Sequence, residues 1–150
     1  MDARIAQDEQ PGRGPLQGLL AGLDSIGSEV DAVYLTSCDV PLLRPAFVAQ
    51  IISLLEDFDI AVPVTEGRPH PLAAVYRVDV RAAVRELLAA DRLRPVFLFE
   101  RFRTRLVRAD DLRTSDRDLV SLRNVNTPED YAALLREVPS SGDCPEHGLP

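Results

Sequence analysis

A short apolar run that ends at a carboxylate and a proline constrains this chain most. Residues 32–36 read Ala-Val-Tyr-Leu-Thr, and Ser-Cys-Asp-Val-Pro follows over residues 37–41. An apolar, partly β-branched stretch of this length, closed by a polar cluster, predicts a buried parallel strand. Asp39 would then stand just past the carboxyl end of that strand, at the edge where open α/β sheets bind ligands. A carboxylate there can hold Mg²⁺, although Asp-x-Pro is also ordinary turn chemistry that needs no ligand.

The rest of the chain alternates between helical and extended patterns. Helices are expected to begin at Pro15, at Pro45, after an N-cap at Asp79, and at Pro128 with a Thr-x-x-Asp capping box over 127–130, and a shorter one is expected over 95–101. Strands are expected at 32–36, 59–64, 72–76, 105–107 and 119–122. This alternation predicts an α/β protein with a largely parallel sheet. Residues 1–138 are expected to form a single domain with a flexible start over 1–12, and residues 139–150 a disordered tail.

The first helix contains two glycines one turn apart. Gly14 can serve as its N-cap, and Pro15 takes the first helical position, where a missing N–H costs nothing. Gly18 and Gly22 each cost about 1 kcal/mol relative to alanine inside a helix. Two alternatives explain such a pair: close packing against a neighbouring element, or a ligand that lies across the helix start.

Composition excludes several classes of function. The chain contains no lysine, so any anionic ligand must be held by arginine, backbone N–H groups, helix N-termini or a metal. A net charge of −7 argues against a general binder of nucleic acid or of membrane surfaces. No stretch is long and apolar enough to span a bilayer, and the polar start lacks a signal-peptide pattern, so we expect a cytoplasmic protein. Cys38 and Cys144 have no paired spacing that would indicate a zinc site or a disulfide framework.

Four short motifs, in this order and at these separations, resemble the molybdenum cofactor guanylyltransferases. They are Gly-Pro-Leu-Gln-Gly at 14–18, Cys-Asp-Val-Pro at 38–41, His-Pro-Leu-Ala at 70–73 and Asn-Val-Asn-Thr-Pro-Glu-Asp at 124–130. The resemblance implies a Rossmann-like sheet with helices on both faces and a Mg²⁺-dependent transfer of GMP from GTP to molybdopterin, with release of pyrophosphate. It also implies molybdopterin-carrying proteins as partners. The first two motifs are shared with related cytidylyltransferases and sugar nucleotidyltransferases, so cytidylyl or another nucleotidyl transfer stays open.

The resemblance also implies roles for individual residues. Asp39 matches the catalytic aspartate that holds Mg²⁺, and Asn124 and Asn126 match an asparagine pair near the reacting centre. The helix start that lies against the nucleotide corresponds to Gly14, Pro15, Leu16 and Gly18. The loop that would meet the pterin or its phosphate contains Arg68, His70 and Pro71. The asparagine pair has a second interpretation, as the end of a strand and a spacer before the helix N-cap.

One family element has no counterpart in this sequence. The family begins with a strand and a glycine-rich loop that wraps the nucleotide phosphates and supplies a lysine, whereas this sequence contains neither that loop nor any lysine. We therefore expect an N-terminally truncated version of the fold, explained by a start site placed too far downstream or by a truncated copy. Its sheet would expose an unpaired strand edge. This departure puts activity in question and leaves open a non-catalytic, pterin- or partner-binding remnant.

Overall fold

A computed structural model of the chain describes residues 5–27 and 30–137. Its α-helices are α1 (Pro15–Ser25), α2 (Pro45–Ser53), α3 (Arg81–Ala89), α4 (Ala109–Leu112) and α5 (Pro128–Glu137). Its strands are β1 (Ala32–Thr36), β2 (Ile60–Thr65), β3 (Arg68–Pro69), β4 (Ala73–Arg77) and β5 (Thr104–Arg108). Short 3-10 helices cover Val78–Val80, Pro95–Leu98 and Val120–Leu122.

The five strands form one sheet in which β2 has the most neighbours. On one side β2 pairs antiparallel with β4 and with the short β3, and on the other it pairs parallel with β5. Strand β1 lies beyond β4 and pairs antiparallel with it, in a register that sets Ala32 opposite Arg77 and Thr36 opposite Ala73. Strands β1, β2 and β5 therefore point in one direction, and β4 runs against them.

The expected α/β class is confirmed, whereas the expectation of a largely parallel sheet is wrong for the strand pairs in residues 5–27 and 30–137. Three of these four pairings are antiparallel. The reason is the short connection between β2 and β4, which turns at Gly67 with a φ of 75° and contains no helix. A parallel neighbour needs a long crossover, usually helical, so a chain that turns back this early pairs antiparallel.

Helices cover both faces of the sheet, as predicted. One face packs against α1 and α3, with a core of Leu16, Leu19, Leu20, Leu23, Ile60, Val62, Tyr76, Val84 and Leu87 among others. The opposite face packs against α2 and α4, with a core of Phe47, Ile51, Leu55, Ala61, Val75, Val107, Leu112 and Leu119. Neighbouring residues of β2 alternate between the two cores, as the two-residue period of a strand requires.

Two local predictions are wrong. The apolar run at 119–122 is not a strand: Leu119 has a left-handed φ of 50°, and a 3-10 helix follows it. A short apolar run cannot be assigned to a strand or a helix from periodicity alone. Asp79 is not the N-cap of α3 either, because it lies inside a 3-10 turn and Val80 occupies the cap position without a side-chain hydrogen bond.

The capping box at the start of α5 is confirmed. The backbone N–H of Asp130 donates to Thr127 Oγ1 at 3.1 Å, and the backbone N–H of Thr127 donates to Asp130 Oδ2 at 3.1 Å. Hydrogen bonding from the Thr127 side chain, and then from nearby backbone N–H groups, lowers the pKa of the Asp130 carboxyl. Reciprocal bonds of this kind satisfy donors that a helix start would otherwise leave unpaired.

The outer edge of β1 is unpaired within the described ranges, as the sequence predicts. Beside it lies an open cavity of about 470 Å³ lined in part by Gly18, Gly22, Val33 and Leu35. A Cβ atom added at Gly18 or Gly22 would meet no heavy atom within 4 Å. Close packing against another described element therefore does not explain the two glycines.

The limits of the domain stay a prediction. Residues 5–12 form no helix or strand and are exposed, and the expected tail over 139–150 lies outside the described residues. Within the described part, no helix combines the length and the apolar character that crossing a membrane requires.

Candidate functional site

Asp39 and Asn124 meet beyond the carboxyl end of β1. The Asn124 side-chain amide donates from Nδ2 to Asp39 Oδ2 at 2.8 Å, and the backbone N–H of Val125 donates to the Asp39 carbonyl oxygen at 2.8 Å. Asn124, 85 positions away in the sequence, thus bonds the side chain of Asp39, and its neighbour Val125 bonds the Asp39 backbone. The predicted site residues Asp39 and Asn124 are brought together.

The Asp39 carboxylate is stabilised in its ionised form. Hydrogen bonding from the Ser37 side chain, and next from the Asn124 side chain, lowers the pKa of Asp39 below its ordinary value of 3.8. Donors that bond a carboxylate favour its charged form. At neutral pH the site therefore presents a fixed negative charge.

The Asp39 carboxylate has one oxygen that is not used by the protein. Oδ1 is buried and has no hydrogen-bond partner in the described part of the chain, whereas Oδ2 accepts from Asn124. Residues 5–27 and 30–137 contain no cluster of three or more His, Cys, Asp or Glu side chains that could hold a metal ion. A lone carboxylate with a free oxygen fits Mg²⁺, which typically takes one or two protein carboxylates and completes its shell with water and substrate phosphates. It does not fit a closed structural metal site.

A cavity of about 210 Å³, called the Asp39 cavity because Asn124 and the chain neighbours of Asp39 line it, includes His70 and Pro71 of the predicted pterin loop. Its lining contains Ser37 and Val40, on either side of Asp39 in the chain, together with Asn124. His70 and Pro71, between β3 and β4, also line it. The remaining lining residues are Pro69, Leu72, Ala73, Ser121 and Leu122. The structure thus places His70 and Pro71 at the same cavity as Asn124.

Three hydrogen bonds fix the His-Pro loop. The backbone N–H of His70 donates to the Pro63 carbonyl oxygen at 2.9 Å, and His70 Nε2 lies 2.6 Å from Thr65 Oγ1. The hydroxyl of the buried Tyr76 donates to the carbonyl oxygen of Pro71 at 2.8 Å. The loop is therefore anchored to β2 and β4, and its position follows from the sheet.

Acid should destabilise the chain through His70. Burial lowers the pKa of His70 below its ordinary value of 6.5. As the pH falls through 6.5, the unfolded chain binds a proton that the folded chain does not, so the free energy of unfolding falls. We expect the melting temperature to drop on acidification from neutral pH, and the His70→Asn variant to show a shallower drop. Circular dichroism melts of both proteins across this range measure the difference, and parallel profiles would contradict the assignment.

The predicted nucleotide residues lie at the start of α1, apart from the Asp39 cavity. Gly14 is the N-cap with a φ of 72°, and Pro15 holds the first helical position, as predicted. The Leu16 side chain is fully buried in the core, so a ligand could meet Leu16 only through its backbone. Gly18 lines the larger cavity beside β1. Assignment of these four residues to a nucleotide stays a prediction.

Arg68 and Asn126 do not line the Asp39 cavity. Arg68 is exposed in β3, where it pairs with Thr65. The Asn126 backbone N–H donates to Asp130 Oδ2 at 3.2 Å, so this residue extends the capping box of α5. That contact agrees with the interpretation of Asn126 as a spacer before the helix, and its place in the reacting centre stays a prediction.

Sequence reasoning missed Asp116 and Ser121. Asp116 is fully buried, and Ser121, also buried, lines the cavity beside Asp39. Asp116 stands in the polar stretch Ser-Asp-Arg-Asp at 115–118, which reads as an exposed loop. No local pattern distinguishes it from its neighbour Asp118, because one of its partners, Arg44, lies on a distant segment.

The fold is shared with a solved structure. The crystal structure of molybdopterin-guanine dinucleotide biosynthesis protein A from Archaeoglobus fulgidus superposes with a TM-score of 0.70 at 21% sequence identity, covering 80% of this chain and 60% of that one. At this identity the likeness shows the class of fold, an α/β domain with helices on both faces of one sheet.

Sequence comparisons identify the family within that class. The profile of the MobA-like NTP transferase domain matches residues 1–106. The molybdenum cofactor guanylyltransferase of Desulfosudis oleivorans is 35% identical over 130 residues, which cover 86% of this chain and 63% of that protein. The probable molybdenum cofactor guanylyltransferase of Methanothermobacter thermautotrophicus is 37% identical over 131 residues, covering 85% and 64%. The chain belongs to the family of MobA-like NTP transferase domains, and it spans a little under two thirds of the length of these two relatives.

Proposed function

We propose that the chain acts in guanylyl transfer, in which GMP passes from GTP to molybdopterin and pyrophosphate leaves. The observation that supports this most is Asp39, an ionised carboxylate with a free buried oxygen beside an asparagine amide at the carboxyl edge of the sheet. The names of the relatives, which specify guanylyl transfer, favour GTP over the cytidylyl alternative. GTP and molybdopterin are the proposed substrates, and molybdopterin-carrying proteins are proposed partners.

Asp39 is the residue that would hold Mg²⁺ through its free Oδ1. When bound, Mg²⁺ would neutralise charge on the transferring phosphoryl group and orient it for in-line displacement. Asn124 keeps Asp39 oriented through Oδ2, and its amide retains a second N–H that can donate to a phosphate oxygen. The low pKa of Asp39 keeps the carboxylate charged across the physiological range.

The cavity walled by His70 and Pro71 is the proposed site for the pterin. Burial keeps His70 neutral at neutral pH by lowering its pKa, and its ring is held against Thr65. A neutral imidazole and the surrounding apolar side chains suit a flat heteroaromatic ring with polar edges. The exposed Arg68 nearby in the chain is the proposed partner for the phosphate of the pterin.

The triphosphate has few candidate partners in this sequence. The sequence contains no lysine and no glycine-rich phosphate loop of the family type. Besides arginine side chains and a bound metal, the candidates are the backbone N–H groups at the start of α1, with Gly14 as the N-cap. We therefore propose that GTP binds weakly to the chain as it stands and tightly to a version extended upstream by that loop.

Isothermal titration of GTP with Mg²⁺ against the chain and against the extended version tests this proposal. We expect at least about tenfold tighter binding by the extended version, because backbone N–H nests and cations supply most phosphate affinity. Equal affinities would contradict it. Pterin binding by both versions without turnover by the extended one would instead indicate a non-catalytic pterin-binding protein.

A further inference from the structure

Asp116 is a fully buried carboxylate with a defined set of partners. Its Oδ2 accepts from the backbone N–H of Ser121 at 2.8 Å. Its Oδ1 is buried, has no hydrogen-bond partner among residues 5–27 and 30–137, and lies 3.6 Å from the guanidinium Nη1 of the half-exposed Arg44. A buried charge is retained only where its partners offset the loss of water, so this group is held by the Ser121 backbone and by Arg44 together.

The same residues join two segments of the chain. The backbone N–H of Arg44, the N-cap of α2, donates to Ser121 Oγ at 3.0 Å. Asp39 and Arg44 belong to one short segment, and Ser121 and Asn124 belong to the other. The two segments are therefore linked at one end by Arg44 and Ser121 and at the other by Asp39 and Asn124.

The segment that contains Asn124 adopts an unusual backbone conformation next to Asp116. Leu119 has a φ of 50°, and its N–H donates to the Asp116 carbonyl oxygen at 3.0 Å. A left-handed conformation at a non-glycine residue persists only where the surroundings enforce it. Asp116 helps to hold this conformation in two ways. Its carbonyl oxygen accepts from Leu119, and its carboxylate accepts from the backbone N–H of Ser121.

We propose that Asp116 is a positioning residue that holds the segment 116–124 against the start of α2 and thereby sets the hydrogen bond between Asn124 and Asp39. It does not line the Asp39 cavity and acts through Ser121 and Arg44. Its relevance to metal binding rests on the proposed function, whereas its effect on the Asn124 side chain does not.

The test compares three variants with the unaltered chain. Asp116→Ala removes both the Ser121 bond and the Arg44 ion pair, and Asp116→Asn keeps an acceptor for the Ser121 N–H while losing the charge. The control is Asp59→Ala at the opposite end of the sheet. There Asp59 Oδ2 accepts from the backbone N–H of Arg103 at 3.0 Å and lies 4.0 Å from its Nε, so the lost contacts are of the same kind.

Three readouts are taken for each protein: the melting temperature, the NMR signals of the Asn124 side-chain amide, and Mn²⁺ affinity by electron paramagnetic resonance. For Asp116→Ala we expect the Asn124 signals to move to the positions of a solvated amide. We also expect the Mn²⁺ affinity to fall about tenfold, which is the lower end of the effects seen for residues that orient metal ligands. Asp116→Asn should recover part of both. Asp59→Ala should lower the melting temperature alone.

A lower melting temperature of Asp116→Ala with unchanged Asn124 signals and Mn²⁺ affinity would overturn the proposal, since Asp116 would then be structural only. If Asp116→Ala fails to fold, Asp116→Asn and Ser121→Ala decide by the same readouts, because each weakens one link of the network. If the unaltered chain binds no Mn²⁺, the proposed function loses its support, and the Asn124 signals alone still confirm or overturn the positioning role.

Discussion

Replacing Asp39 with asparagine is expected to lower guanylyl-transfer turnover about 100- to 1,000-fold, the usual loss when one preorganised electrostatic group is removed. The substitution keeps the side-chain volume and removes the charge that the free Oδ1 would offer to Mg²⁺. Turnover is measured with GTP, Mg²⁺ and molybdopterin on the upstream-extended version, and Mn²⁺ affinity on the chain itself. Both should fall, with little change in melting temperature, because Asp39 is outside the hydrophobic core.

The matched control for this substitution is Asp57→Asn, which makes the same change of charge at an exposed position before β2. It should leave turnover and Mn²⁺ affinity unchanged. If Asp39 serves only to form the turn before α2, the pattern reverses: Asp39→Asn lowers the melting temperature and retains turnover. Near-normal turnover of this variant would rule out the magnesium assignment.

Phe47→Ala is expected to reduce the free energy of unfolding by about 3–5 kcal/mol, the range observed when a buried aromatic side chain is deleted. Phe47 is completely buried on α2, in the core between that helix, α4 and the sheet. Urea denaturation followed by circular dichroism measures the change. A loss below about 1 kcal/mol would mean that the α2 face repacks without a cavity, contrary to the close packing of protein cores.

Ile52→Ala, on the same helix, is the control for Phe47→Ala. Ile52 is 49% exposed, so its truncation removes little buried area. The free energy of unfolding of Ile52→Ala should lie within about 0.5 kcal/mol of the unaltered chain, as is usual for surface substitutions. The contrast between the two variants separates core packing from helix propensity.

Helix starts could be predicted from the sequence because their chemistry is local. Pro15, Pro45 and Pro128 each occupy the first helical position that their fixed φ and missing N–H suit. Thr127 and Asp130 form the capping box for the same reason. Each of these interactions joins residues within one turn, so the pattern of a few letters contains all its participants.

Strand neighbours and the conformation at 119–122 could not be predicted in this way. The insertion of β4 between β1 and β2 is a choice among pairings that the order of elements leaves open. Leu119 adopts its left-handed conformation in a turn bonded to Asp116, and Asp116 is buried through contacts with Arg44 on a distant segment. These features are decided by tertiary contacts that no short window of sequence contains.

In the candidate site, too, some residues could be found from local sequence patterns and others only from tertiary contacts. Asp39 was found because it follows a recognisable strand, and the meeting of Asn124 with the cavity of His70 agrees with the family resemblance. Ser37, Ser121 and Asp116 carry no motif. Only the geometry shows that Ser37 bonds the Asp39 carboxylate and that Asp116 holds Ser121, which lines the neighbouring cavity. A residue that supports a site does so through its position in the fold, and common residue types such as Ser and Asp can serve. Its residue type in the sequence therefore does not reveal its role.

The long separation between Asp39 and Asn124 has a kinetic consequence. Their hydrogen bond closes a loop of 85 positions, whereas β2 and β4 join after a short turn. Closing a long loop carries an entropic cost before its contacts form, so such contacts are late events in folding unless other structure has already brought the ends together. We therefore expect the sheet to assemble first, and a refolding chain to regain its circular dichroism before the proposed affinity for a divalent cation. The proposed metal site would then exist only in molecules that have completed folding.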